Sequence, residues 1–305
     1  TLAYDQLALT TGSNPRHLPA NIGGALNGVH VVRSLDDVDA MGADMAKGKR
    51  ALIVGGGYIG LEAAAVAAKM GLEVTVIEMA DRILQRVAAR ETSGYFRKLH
   101  AAHGVDVREG VGLDRLLGQS HVSSARLTDG SVMDVDLVIV GVGITPGDAL
   151  AADAGLTINN GIETDAHGRT SDASIWAAGD CASFPWQGKR IRLESVQNAI
   201  DQAELVAENI MGAGKDYLPM PWFWSDQYDV KLQIAGLNTG YDKIAIRQTG
   251  DAVSYWYYQG DTLLAVDAMN DPRNFMIAKR LIAAGKSPSA DLVSDPDTDM
   301  KALLK

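Results

Sequence analysis

Apolar and polar residues change rhythm several times along this chain, and the rhythm predicts most of its elements. Arg50–Val54 is a short apolar run and Tyr58–Met70 is rich in Ala and Leu, which reads as a buried strand followed by a helix. Val74–Ile77 is β-branched throughout and predicts a second strand. Glu91–His103 carries Tyr95, Leu99 and Ala102 at helical spacing, and Val105–Val107 and Leu137–Val140 are further strand candidates. Asp129-Gly130, between Val122–Leu127 and Val132, is a hairpin signal. Strands alternating with helices imply an α/β unit whose parallel sheet is covered on both faces.

Outside this unit the pattern differs. A strand at Gln6–Thr10 precedes a turn at Gly12-Ser-Asn-Pro15. After it come Ile162–Asp165, a strand at Ser174–Ala178 and a long helix from about Glu194 to Met211. Pro219-Met-Pro221 then opens a small α+β region. Its β segments are Lys231–Ala235, Lys243–Arg247, Val253–Tyr258 and Leu263–Ala268, and a helix follows at about Arg273–Ala284. Four segments result: 1–29, 30–145, 146–218 and 219–305.

Composition narrows the classes. A 305-residue chain with 47% apolar and 22% charged residues suits a globular protein of two or three domains. No apolar run reaches the roughly 18 residues of a membrane span, and the first residues do not read as a signal peptide. A net charge of −10 argues against a nucleic-acid partner, which needs a basic face. The single cysteine, Cys181, allows no internal disulfide or Cys-x-x-Cys pair, and the expected location is the cytoplasm. Because the chain starts with Thr1, just ahead of a strand, it reads as part of a longer protein.

The chemistry-bearing motif is Gly55-Gly-Gly57-Tyr58-Ile59-Gly60, between an apolar strand and an Ala-rich helix. Gly55 suits the tight turn and Gly57 lets backbone approach a pyrophosphate, while Gly60 lets helix and strand pack closely. A helix N-terminus behind such a turn offers N–H groups and the positive end of its dipole to phosphates. Glu78 closes the second strand, where a carboxylate accepts from ribose hydroxyls and repels a 2′-phosphate, favouring NADH. A second glycine turn, Gly141-Val142-Gly143, follows Leu137–Val140 at the ligand-binding end of such a sheet and suits enclosure of the nicotinamide half. No metal site is expected.

Several longer stretches carry a resemblance. They are Leu9-Thr-Thr-Gly12-Ser-Asn-Pro-Arg16, Val32-Arg33-Ser34, Thr170–Cys181 with its Gly-Asp180, Leu193-Glu-Ser-Val-Gln-Asn198 and Pro221-Trp-Phe-Trp-Ser-Asp-Gln227. Together they resemble the FAD-dependent NADH:ferredoxin reductases of bacterial oxygenase systems. The resemblance covers essentially the whole chain, but the family's first Gly-x-Gly-x-x-Gly, which binds the FAD diphosphate, is not in these 305 residues. It implies a glutathione reductase-like architecture, with a Rossmann-type NAD domain at 30–145 inserted between FAD-domain parts at 1–29 and 146–218. The α+β C-terminal domain would follow at 219–305.

The same resemblance implies FAD and NADH as cofactors and a [2Fe-2S] ferredoxin as partner, with no membrane involved. By resemblance Asp180, Val196, Gln197, Gly12 and Arg33 lie along the flavin, Glu62 near the nicotinamide, Trp224 near the flavin and Arg86 at the adenine-ribose side. Arg16, Lys189, Arg190 and Arg192 are candidate docking cations for an acidic ferredoxin. Alternatives stay open: an NADH oxidase or peroxidase, a redox sensor resembling apoptosis-inducing factor, or an NAD-binding module alone.

Overall fold

The computed structural model describes residues 2–305. Its contacts define two units. One comprises residues 15–143, 224–234 and 238–305, and the other, among the described residues, 2–14, 144–223 and 235–237.

In the first unit, five parallel strands stand in the order Val29–Val31, Leu137–Val140, Arg50–Val54, Glu73–Glu78, Asp106–Glu109. Helices α1 (Leu35–Gly42), α2 (Tyr58–Lys69) and α3 (Arg90–Ala102) connect them. Successive strand side chains point to opposite faces. Ala51, Ile53, Val74 and Val76 therefore enter one core with Leu61 of α2 and Phe96 of α3. Leu52, Val54, Ile77 and Val138 enter another. The second core is closed by a β layer: an antiparallel sheet of Leu113–Gly118, Val122–Leu127 and Val132–Asp134, contributing Leu116, Ala125 and Leu127. Both faces are covered as expected, one of them by strands.

In the other unit, Leu7–Leu9 runs parallel to Ile175–Ala177, and Ala182–Trp186 pairs antiparallel with Lys189–Ile191. It carries α4 (Ala149–Asp153) and α5 (Val196–Ile210), the latter capped by the Ser195 hydroxyl accepting from Asn198 N. Its segments flank residues 15–143 in sequence, so the parallel-sheet unit is an insertion within it.

From Trp222 a five-stranded sheet follows, in the order Trp222–Gln227, Val230–Gly236, Thr262–Met269, Ala252–Gln259, Lys243–Thr249. Helices α6 (Pro272–Ala283) and α7 (Ala290–Ser294) complete it. The strand Trp222–Gln227 goes beyond the sequence expectation, which began this sheet at Lys231. In it the polar Ser225 and Gln227 are buried while Trp224 and Asp226 are exposed, an inversion that hides its alternation.

This sheet shares a core with the parallel-sheet layer: Tyr255, Tyr257 and Met269 are buried in the same cluster as Leu61 and Phe96. A buried polar knot pins the junction. Asp267 accepts from Thr92 Oγ1 at 2.6 Å and from the Tyr257 hydroxyl, which in turn accepts from Ala89 N at 3.0 Å. Burial pushes the Asp267 carboxyl up from 3.8 to about 6, against the pull of its two hydroxyl donors. Below both values the group is protonated whether the chain is folded or unfolded. As pH climbs from 3.8 through about 6, the unfolded chain releases this proton first, and stability is lost. Wild-type stability, relative to Asp267→Asn, is therefore expected to fall across that interval and level off above it. Denaturant midpoints of both proteins along a pH series check this, the pH dependence of the difference being the readout.

Candidate functional site

The glycine motif folds as its spacing implies. Gly55 turns at φ 109°, its amide donating to Ile77 O at 2.9 Å, and a Cβ there would meet Gly141 O at 2.4 Å. A Cβ on Gly60 would lie 2.0 Å from Gly55 O, so any side chain would force α2 off the strand. Gly57 differs: its backbone is extended, and a Cβ would meet nothing within 4 Å. Gly57 is the N-cap of α2 with no side-chain cap, and intrahelical bonding begins with Leu61 N to Gly57 O. The first turn, Tyr58–Gly60, thus aims its amides at the open space in front of Gly57.

Gly56 is held from two sides. Its amide donates to Glu78 Oε2 at 2.8 Å, and its carbonyl accepts from Leu84 N at 2.9 Å. Glu78 Oε1 accepts from Ala80 N at 2.8 Å. Each carboxylate oxygen keeps a lone pair for a further donor, so Glu78 both braces the loop and remains able to accept. The segment behind it packs inward through Ile83 and Leu84, both buried.

Gly141 lies against Gly60, and Val142 packs on the second core. Gly143, at φ 103°, is flanked by two exposed guanidinium side chains: a Cβ there would be 3.8 Å from Arg16 Nε and 3.9 Å from Arg86 Nη2. The parallel-sheet unit therefore gathers Gly55, Gly57, Gly60, Glu78, Gly141, Gly143 and Arg86, and adds Arg16. Ile59 on α2 is 42% exposed.

Glu62 lies further along α2 and is half-buried; its Oε1 accepts from Ser225 Oγ at 2.5 Å. Burial raises its pKa, the Ser225 bond lowers it and nearby Asp226 raises it. Trp224, on the same strand as Ser225, presents an exposed face. Arg33 directly precedes the Ser34–Asp37 capping box of α1, and its amide donates to Asp37 at 3.0 Å.

In the other unit, Asp180 follows Gly179 (φ 84°) and accepts from Ser13 Oγ at 2.8 Å. Gly179 N donates to Gln202 of α5 at 2.9 Å, which ties the Asp180 turn to the helix that begins with the exposed Val196 and with Gln197. Gly12 turns at φ 64° beside Ser13, and its carbonyl accepts from Gly147 N at 2.8 Å. Asp180, Gly12, Val196 and Gln197 thus belong to one framework.

Two of the expected docking cations are engaged elsewhere. Arg192 is 9% exposed and donates to Asn160 O and Asp180 O while pairing with Glu194 at 2.6 Å. Arg190 donates to Thr164 O and Ser183 O. Arg192 thus holds the carbonyl of Asp180 and Arg190 those of Thr164 and Ser183; Lys189 is exposed. Cys181 is fully buried and donates to Leu9 O and Ala178 O, so it is a packed thiol.

Comparison with known proteins identifies the family. The chain belongs to the pyridine nucleotide-disulphide oxidoreductase family, whose model matches residues 1–203, and a reductase C-terminal model matches residues 222–304. Rhodocoxin reductase of Rhodococcus erythropolis is 40% identical over 99% of this chain and 72% of its own length. A ferredoxin–NAD(P)+ reductase of Sphingomonas sp. is 42% identical over all of this chain and 75% of its own length. The solved structure of a covalent putidaredoxin reductase–putidaredoxin complex superposes with a TM-score of 0.95 at 38% identity, covering 99% of this chain and 75% of that one.

The two glycines of the turn separate folding from binding. Gly60→Ala is expected to cost about 3 kcal/mol through overpacking. Gly57→Ala should leave the melting temperature unchanged and weaken dinucleotide binding at least tenfold, because the new methyl points into open space. Thermal melts paired with NADH titrations check both.

Proposed function

We propose that this chain is the NADH-accepting part of an FAD-dependent ferredoxin reductase that supplies a [2Fe-2S] ferredoxin, and through it an oxygenase. The observation that carries the NADH half is the uncapped α2 N-terminus behind Gly57, with Glu78 at the end of the adjacent strand. The family match and the named ferredoxin reductases support the flavin and ferredoxin halves.

Each residue has a defined task in this reading. The amides of the α2 first turn donate to the pyrophosphate, and Glu78 accepts from the adenosine ribose. Arg86 neutralises charge at the adenine side, and the Gly141–Gly143 turn closes over the nicotinamide half. Glu62 orients the reacting ring, and Trp224 shields the reaction from water. Asp180, Gly12, Val196 and Gln197 would hold the flavin, with Asp180 the acceptor for its ribityl chain. Bound FAD supplies the conversion between hydride and single-electron chemistry, while the protein supplies orientation and electrostatics. NADH as donor and a buried, reduced Cys181 suit the cytoplasm.

The direct test is NADH-driven reduction of a [2Fe-2S] ferredoxin by the purified flavoprotein, followed by absorbance; no reduction above a protein-free control would overturn the assignment. Glu78→Gln should shrink the NADH-over-NADPH preference about tenfold, the worth of one charge-assisted hydrogen bond. Dissociation constants for both nucleotides measure it, and an unchanged ratio removes Glu78 from ribose recognition. Asp180→Ala should lower flavin occupancy, read from the visible absorption of the purified protein.

A further inference from the structure

Behind Glu62 runs an unbroken line of hydrogen bonds leading away from the dinucleotide turn. Ser225 Oγ is 2.5 Å from Glu62 Oε1, and Gln227 Nε2 is 3.2 Å from Ser225 Oγ. Gln227 Oε1 is 2.8 Å from His100 Nε2, and the Tyr228 hydroxyl is 3.1 Å from His100 Nδ1. Ser225, Gln227 and His100 are all buried, at 1%, 0% and 0% exposure. Tyr228, half-buried and stacked on exposed His103, is the solvent end of the line.

Chemistry fixes the sense of each bond. An amide has one accepting end and one donating end, and a neutral imidazole has one nitrogen of each kind. With Gln227 Oε1 toward the histidine, His100 must carry its proton on Nε2, so Nδ1 accepts from Tyr228. Gln227 then donates to Ser225, and Ser225 donates to an ionised Glu62. One other arrangement with neutral His100 reverses every bond, and it needs the Glu62 proton on Oε1, the oxygen that faces Ser225. Glu62 is protonated and donates to Ser225, Ser225 donates to a flipped Gln227, and Gln227 donates to His100 Nε2. His100 then carries its proton on Nδ1 and donates to Tyr228. Mixed arrangements leave a buried donor facing a donor, which costs roughly 1–3 kcal/mol per site.

We infer that Ser225, Gln227 and His100 are positioning residues that couple the protonation state of Glu62 to the tautomer of His100. An amide does not conduct protons at accessible cost, so the line orients and does not shuttle. Between its two states one proton is gained, at the Glu62 carboxyl. His100 stays neutral overall: when the buried line opens transiently its Nε2 proton leaves to water, and another is taken from water onto Nδ1 at the Tyr228 end. In the first state the line directs a donor at Glu62, which favours the ionised form against the burial that raises its pKa and holds the carboxylate in a fixed rotamer. The groups facing this line are Tyr58 and Asp226 at Glu62, and His103 and Tyr228 at His100. Burial lowers the His100 pKa, and Tyr228 is pushed up to about 12, so both stay neutral near pH 7.

The functional weight of this coupling rests on the reading of Glu62 as part of the NADH site, and two measurements separate the claims. Nitrogen-15 NMR of the histidine-labelled flavoprotein distinguishes Nε2–H, Nδ1–H and imidazolium forms. His100 should be predominantly Nε2–H above the Glu62 titration and predominantly Nδ1–H below it. Glu62→Gln and Ser225→Ala should abolish the change, and Ser225→Thr, which keeps the hydroxyl, should restore it. A tautomer that ignores pH in the wild type, or changes alike in Glu62→Gln, overturns the coupling. Separately, the NADH dissociation constant should rise several-fold in Glu62→Gln and in Ser225→Ala. An unchanged constant in Glu62→Gln overturns the placement of Glu62 at the nucleotide and leaves the coupling to the NMR result.

Discussion

The distance that the rest of the nucleotide half depends on is the approach of Gly60 to the carbonyl of Gly55, where a side chain would have 2.0 Å. That contact seats α2 against the strand Arg50–Val54 and directs its N-terminus past Gly57. The bracing of Gly56 by Glu78 and Leu84 then holds the loop in its binding shape before any ligand arrives. Affinity gains from this because little ordering remains to be done on binding. Glu78 braces the loop and, in the proposed reading, also accepts from the ribose, so replacing it with alanine would loosen the loop as well as remove an acceptor. Its amide analogue is the cleaner probe.

Much of this was legible in the sequence. The glycine spacing, the β-branched strand and the acid at its end are local signals, and the fold brings the glycine turn and Glu78 together. Less local features were harder to read. The helix Leu35–Gly42 begins with a Ser34–Asp37 capping box, a readable signal, but its short length and Asp-rich face give weak amphipathic periodicity. The hairpin signal at Asp129-Gly130 was readable, but not that its sheet covers the second face, because those strands meet the parallel sheet only through tertiary packing. The strand Trp222–Gln227 was hidden because its buried positions are Ser225 and Gln227 and its exposed ones include Trp224.

The same inversion explains why the site was only half visible. Glu62 and Trp224 are recognisable from the resemblance, yet the residues supporting Glu62 are a histidine on α3 and two polar side chains more than 120 residues further on. No spacing rule connects them. Buried polar side chains persist only when satisfied, and here satisfaction comes from a line whose members are assembled by the fold. Likewise Arg190 and Arg192 look like surface charges in the sequence, but the structure uses them to hold the carbonyls of Ser183 and Asp180.

The shared core beneath α2 and α3 also governs how the protein is made. Thr92 and Asp267 are bonded across 175 residues, and Phe96 lies in the same core as Met269. At about 5–20 residues per second, a ribosome needs roughly ten to thirty seconds to make the stretch between them. Throughout that interval the apolar faces of both helices lack their final cover. The parallel sheet therefore reaches its native packing only after the last strands emerge, and until then it is a client for whatever in the cell shields exposed hydrophobic surface.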